Sequence, residues 1–212
     1  MKFRGVVLLG LTMFAGLAGA RGQEAIASRV DSSDTEAPFA RHTWATENLV
    51  GSFFLFDRGG NDRPTIDYAL YTSRAGVMLY DPSGSGILRG NTEFLAEVFA
   101  GPIFHGPGNA VAGLTLFLRY NFIQPGARLV PYIQAGGGGV YSDIEHGAAS
   151  GNAISLAVNF NLQATAGLRF NLNRRWSALA EATYRHISNA GLHDPNYGID
   201  QLGVALGLGC TF

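Results

Sequence analysis

His186 and Ser188 stand two residues apart, and Asp200 follows in the next stretch of chain. Serine, histidine and a carboxylate are the nucleophile, base and base-orienter of acyl transfer. In a strand, residues two apart project from one face, with Cα atoms about 6.5–7 Å apart. The surrounding residues alternate in the same way. Trp176, Ala178, Ala180, Ala182, Tyr184 and His186 share one parity; Ser177, Leu179, Glu181, Thr183 and Arg185 take the other. Asp200 opens a second alternating run and shares the parity of Leu202, Val204, Leu206, Leu208, Cys210 and Phe212. A hairpin joining the two runs brings all three polar residues to one patch at the end of the strands. Polar groups that face lipid are costly unless used or paired, but near the interface the cost falls to about 0–1 kcal/mol. Ordinary rim residues are therefore the plain alternative to an acyl-transfer site.

The elements that position this patch have a period of two rather than 3.6. Eight alternating segments are expected, at about 47–57, 66–80, 91–103, 111–122, 128–142, 157–171, 176–187 and 198–212. Most are long enough for a tilted membrane-spanning strand of about 9–11 residues plus overhang. The connections after segments four and six (124–127 and 171–175) are short, and those after five and seven (143–156 and 188–197) are long. Outer-membrane barrels have short periplasmic turns and long outer loops. The expected fold is thus all-β: an eight-stranded antiparallel up-and-down transmembrane β-barrel over residues 44–212, with both ends in the periplasm. The stretch 81–90 departs from the pattern, being long on the periplasmic side. A soluble barrel would turn its apolar faces inward instead, and alternation alone does not distinguish the two. The small, Gly-rich second face suits a narrow membrane barrel, and a run ending on Phe212 is similar to outer-membrane insertion signals.

Residues 1–20 read as an export signal: Lys2 and Arg4, an apolar run too short to span a bilayer, then Ala18-Gly19-Ala20. An N-terminal anchor is the alternative. Residues 21–43 are polar and acidic, and are expected as a flexible leader, with partial folding onto the barrel body as the alternative. Composition agrees with a membrane or tightly packed β-protein. The 212 residues are 47% hydrophobic and 15% charged, against about 25% charged in soluble domains. The 29 glycines are about double the usual share. A net charge of −1 provides no field to draw nucleic acid. One cysteine, Cys210, excludes a disulfide scaffold.

The run Tyr184-Arg185-His186-Ile187-Ser188-Asn189-Ala190-Gly191-Leu192, with Asp194-Pro195-Asn196-Tyr197-Gly198-Ile199-Asp200 after it, resembles the PagL family of lipid A 3-O-deacylases. The resemblance is dense over 184–200 and weaker over 44–183. It implies an eight-stranded outer-membrane barrel that hydrolyses an ester-linked acyl chain of lipopolysaccharide, its substrate partner, without cofactor. Carried onto this chain, it implies Ser188 as nucleophile, His186 as general base and Asp200 in the place of the acidic member. Better-known members carry Glu there, one methylene longer. It also implies an oxyanion role for Asn196, helped by backbone N–H groups of Asn189, Ala190 and Gly191. The implied substrate ester lies at the headgroup–acyl boundary, which an outward patch at the rim meets directly. A non-catalytic barrel with a structural or adhesion role is the alternative, and both a monomer and a homodimer are compatible with it.

Other polar residues have simpler readings. His105, His146 and His193 are expected in outer loops without metal-ligand spacing. Glu97, Glu181 and Arg185 are expected to pair inside the barrel, because buried charges require partners. Arg58 and Arg63 are candidates for lipid A phosphates. Gly136 to Gly139 is no phosphate loop, since no Lys follows, and is expected to ease strand curvature. Cys210 is expected on the lipid face as a small hydrophobe.

Overall fold

In the computed structural model, residues 35–56, 64–144 and 153–212 are described. They form eight antiparallel strands: β1 (Trp44–Leu55), β2 (Asp67–Met78), β3 (Gly90–His105), β4 (Ala110–Phe122), β5 (Leu129–Ser142), β6 (Val158–Asn171), β7 (Trp176–Ser188) and β8 (Ile199–Thr211). Each pairs with its sequence neighbour, and β1 pairs with β8 to close the barrel. Closure removes every open strand edge, which a sheet within hydrocarbon requires. Strands of 12–16 residues cross about 30 Å of hydrocarbon even when tilted. Four strands extend beyond the bounds the sequence pattern suggests: β1 starts at Trp44, β3 reaches His105, β4 starts at Ala110 and β7 ends at Ser188. His105 is thereby the end of a strand rather than a loop residue, and its Nδ1 lies 3.1 Å from Asp67.

The two faces resolve the ambiguity of alternation. Large apolar side chains such as Val50, Val98, Leu116, Ile133, Leu162 and Leu206 stand exposed on the outside. Trp44, Trp176 and Phe212 extend this belt at one end, and Phe54, Phe104 and Phe160 at the other. An apolar band flanked by aromatics is the outer surface of a membrane barrel. The inside is polar and fully packed. Arg74 contacts Glu97 at 2.7 Å and Glu181 at 2.6 Å; Arg119 contacts Glu47 at 2.5 Å and Glu93 at 3.2 Å; Arg169 contacts Glu47 at 2.7 Å. Arg185 lies 3.8 Å from Glu97 and 4.2 Å from the Phe99 ring centroid. Glu97, Glu181 and Arg185 belong to this network, as the parity argument expects. Glu47, Glu93, Arg74, Arg119 and Arg169 complete it.

Apolar clusters close the network at both ends. At the end where the 189–198 loop joins β7 to β8, Phe53, Ile66, Tyr68, Phe99, Ile187 and Ile199 pack together. At the opposite end, where β1 starts and β8 finishes, Phe39 packs with Met78, Ile123 and Val130. Phe39 ends a 3-10 turn (Ala37–Phe39). Asn91 Nδ2 donates to the Phe39 carbonyl at 2.7 Å, and Arg89 pairs with Glu36 at 2.9 Å. Residues 35–43 are thus folded into the barrel mouth rather than free of it. The expectations for residues 1–34 fall outside the described residues.

The stretch 81–90, unexplained by the strand pattern, is a built turn. Ser83 and Gly90 form an antiparallel bridge around a 3-10 turn (Gly86–Leu88). The Tyr120 hydroxyl donates to the Leu88 carbonyl at 2.6 Å. In β5, Gly136 and Gly138 allow β4 to approach: a Cβ on either would sit 2.2 or 2.0 Å from a β4 carbonyl oxygen. That is the close-approach role of strand glycine.

Candidate active site

The β7–β8 register sets the site. His186 lies directly opposite Asp200, and Tyr184 opposite Leu202. On the other side, Ser188 lies opposite Phe160 of β6 and His186 opposite Leu162. Directly opposed residues point to the same side of a sheet, so His186, Ser188 and Asp200 all face outward. Their neighbours in chain, Arg185, Ile187, Ile199 and Gln201, are buried inside. The site therefore stands on a rigid wall, one residue thick, whose inner face is packed.

His186 bridges the other two. Its Nδ1 is 2.8 Å from Asp200 Oδ1, and its Nε2 is 3.1 Å from Ser188 Oγ. An ionised carboxylate accepts only, so Nδ1 carries the hydrogen, and the Nε2 lone pair faces the serine hydroxyl. The Tyr184 hydroxyl donates to the same Asp200 oxygen. The aspartate is nearly covered (7% of its side chain exposed), whereas the imidazole is one-third exposed. The carboxylate is shielded, while the imidazole remains partly open on the outward side. Ser188 and His186, with Phe160, Leu162, Gly138 and Ala190, line a surface groove of about 320 Å³. Its walls are mostly apolar, apart from Ser188, His186 and Asn161.

The loop after β7 is held by its own polar side chains. Asn189 is buried. Its backbone N–H donates to Asn196 Oδ1 at 3.0 Å, its Oδ1 accepts the Gly191 N–H at 2.9 Å, and its Nδ2 donates to the His193 carbonyl at 2.6 Å. The N–H groups of Asn189 and Gly191 are thereby committed within the turn. Among the described residues, the Ala190 N–H has no acceptor, and Ala190 is exposed at φ 54°. Of the three backbone N–H groups named from the resemblance, those of Asn189 and Gly191 are thus engaged within the loop. Asn196 accepts through its oxygen, which leaves its Nδ2 as a donor. His193 does not join the reactive pair; its Nδ1 meets Ser155 Oγ at 3.1 Å and ties two outer loops together.

Two residues at the site escaped the sequence reading. Tyr184 shares the parity of His186, so its facing was legible, but not its reach to Asp200. Gly198 has φ 74°, and a Cβ there would lie 2.8 Å from His186 Cε1. Only glycine meets both constraints without strain. Among the described residues no group of three potential metal ligands occurs. Arg58, Arg63 and His146 lie outside the described residues.

Fold and site together define an outer-membrane barrel with a serine–histidine–acid cluster on its outer wall. The family model for lipid A 3-O-deacylase (PagL) matches residues 71–209, and this chain belongs to that family. It is a protein of the bacterial outer membrane. Among solved structures, the outer membrane enzyme PagL is 19% identical, with 77% of this chain and 97% of that one covered, at a TM-score of 0.49. Neisserial surface protein A is 11% identical over 80% and 97%, at 0.55. The N-terminal β-barrel domain of Pseudomonas aeruginosa OprF is 17% identical over 81% and 98%, at 0.50. At these identities likeness to a solved structure concerns the fold alone. No curated protein matches.

Proposed function

We propose that this protein hydrolyses an ester-linked acyl chain of lipid A, with Ser188 as nucleophile, His186 as general base and Asp200 as the orienting acid. The observation that carries the reading is the unbroken chain Ser188 Oγ–His186 Nε2 at 3.1 Å and His186 Nδ1–Asp200 Oδ1 at 2.8 Å, on an outward wall. Ser188 Oγ attacks the ester carbonyl while His186 takes its proton. The imidazolium formed is stabilised by Asp200, which also holds the tautomer. Collapse of the tetrahedral intermediate expels the sugar oxygen, which takes the proton from His186. A water, deprotonated by the same nitrogen, then releases the fatty acid and restores the serine.

The Ala190 N–H and the Asn196 Nδ2 are the donors proposed for the oxyanion. Preorganised donors of this kind contribute about 2.7–4 kcal/mol each in serine hydrolases. The apolar walls of the groove, Phe160 and Leu162, suit an acyl chain, and the outward placement suits a substrate that stays in the bilayer. The test is mass spectrometry of lipid A after incubation with the purified protein in detergent. The expected product has lost the mass of one hydroxyacyl chain, and Ser188→Ala leaves lipid A intact. An active Ser188→Ala protein refutes the assignment.

A further inference from the structure

We infer that Tyr184 is a positioning residue for this hydrolysis, its phenol hydroxyl fixing the Asp200 carboxylate against the His186 ring. The inference rests on the proposed roles of His186, Ser188 and Asp200, and adds a fourth residue that acts only through the acid. Three observations carry it. First, Tyr184 and Asp200 are diagonal neighbours, because Tyr184 pairs with Leu202 while His186 pairs with Asp200. A diagonal of about 7–8 Å between Cα atoms is within reach of an aromatic side chain. Second, the hydroxyl and His186 Nδ1 meet the same oxygen, Asp200 Oδ1. Two donors from one strand converging on one oxygen define the rotation of the carboxylate about both its side-chain bonds. Third, Asp200 is 5% exposed at the edge of the apolar belt; the next outward row pairs Tyr184 with Leu202, and the row beyond pairs Ala182 with Val204. Tyr184 is thus the polar side chain that these two rows bring beside the acid.

Without the hydroxyl, the carboxylate rotates more freely, and the His186 ring it orients is less often aligned with Ser188. The experiment compares wild type, Tyr184→Phe, Asp200→Asn and the double variant as detergent-folded barrels. We expect Tyr184→Phe to lower kcat about ten-fold, the effect of one hydrogen bond to a charged group, with KM within two-fold. In the Asp200→Asn background the same change has no further effect, because its target is gone. A wild-type rate in Tyr184→Phe, or an additive loss in the double variant, overturns the inference. The His186 ring-proton resonance in labelled protein reports the contact without turnover. It is displaced in Tyr184→Phe; an unmoved resonance overturns the inference whatever the activity. Activity surviving in Ser188→Ala refutes the hydrolytic assignment instead and leaves the resonance test standing.

Discussion

Gly198→Ala is a sharp test of how the site is held. Gly198 packs against the His186 imidazole, and its N–H donates to the Ala153 carbonyl at 2.9 Å. Two costs follow from a methyl group there. The residue has φ 74°, and a non-glycine side chain in that left-handed region costs about 1–2 kcal/mol. The new Cβ also lies 2.8 Å from His186 Cε1, where ordinary contact begins at 3.4 Å. Relief requires about 0.6 Å of movement, because the repulsive wall is steep. Cε1 sits between the two ring nitrogens, which are held at 2.8 and 3.1 Å. A shift of that size cannot keep both contacts. Misplacement of about 1 Å costs about 10²-fold in rate, so we expect about a ten- to hundred-fold loss in kcat. Gly126→Ala is the control. Gly126 has the same φ of 74°, but nothing lies within 4 Å of the point where its methyl group would stand. It carries the backbone cost without the collision. The assay is the initial rate of acyl release by folded, heat-modifiable barrels at one detergent concentration. Gly198→Ala with a wild-type rate refutes the claim that this contact sets the imidazole. An equal loss in Gly126→Ala shows the effect to be strain alone.

Other expectations follow from the same geometry. Asp200→Asn keeps the size but loses the charge and favours the wrong tautomer; the matching change in a serine protease costs about 10⁴ in kcat. We expect initial rates in the order wild type, Asp200→Glu, Asp200→Asn, with Ser188→Ala lowest, and a wild-type rate for Asp200→Asn refutes the orienting role. Glu47→Gln strips Arg119 and Arg169 of a shared partner; breaking a buried pair costs about 3–5 kcal/mol, read as a lower unfolding midpoint in urea. Phe39→Ala removes the apolar anchor of the segment folded into the barrel mouth and is expected to cost about 3–5 kcal/mol, with the deacylation rate of the folded fraction unchanged. Asp143, outside the strands, accepts N–H bonds from Ala110 and Asn109, which hold its carboxyl down at about 2. A depressed carboxyl stabilises the fold above its ordinary value near 3.8 and loses that contribution as pH falls through about 2. Amide protection at Asn109 and Ala110 is therefore expected to persist at pH 4 and to be gone below pH 2, and in Asp143→Asn to be weak throughout.

Much of this protein is decided by its sequence alone, because the side-chain period of a strand is two. Once 176–188 and 199–211 are strands, the shared facing of His186 and Ser188 and the parity of Asp200 with Leu202 follow, whatever the rest of the chain does. The inward facing of Glu97, Glu181 and Arg185 follows in the same way. Tertiary structure decided what each face meets. Alternation does not say which side is lipid; closure of β1 on β8 does, by enclosing the charged face where only pairing satisfies it. The partners of those charges lie far apart in the chain. Arg74 meets Glu181 across 107 positions and Arg169 meets Glu47 across 122, separations with no local signal. The same holds at the site. Parity puts Tyr184 on the right face, but only the register pairing His186 with Asp200 brings its hydroxyl diagonally onto the acid. A glycine at 198 reads as an ordinary turn residue until the loop folds back and sets it against the imidazole. Local periodicity determines direction; contact depends on register, closure and loop path, which are properties of the whole barrel.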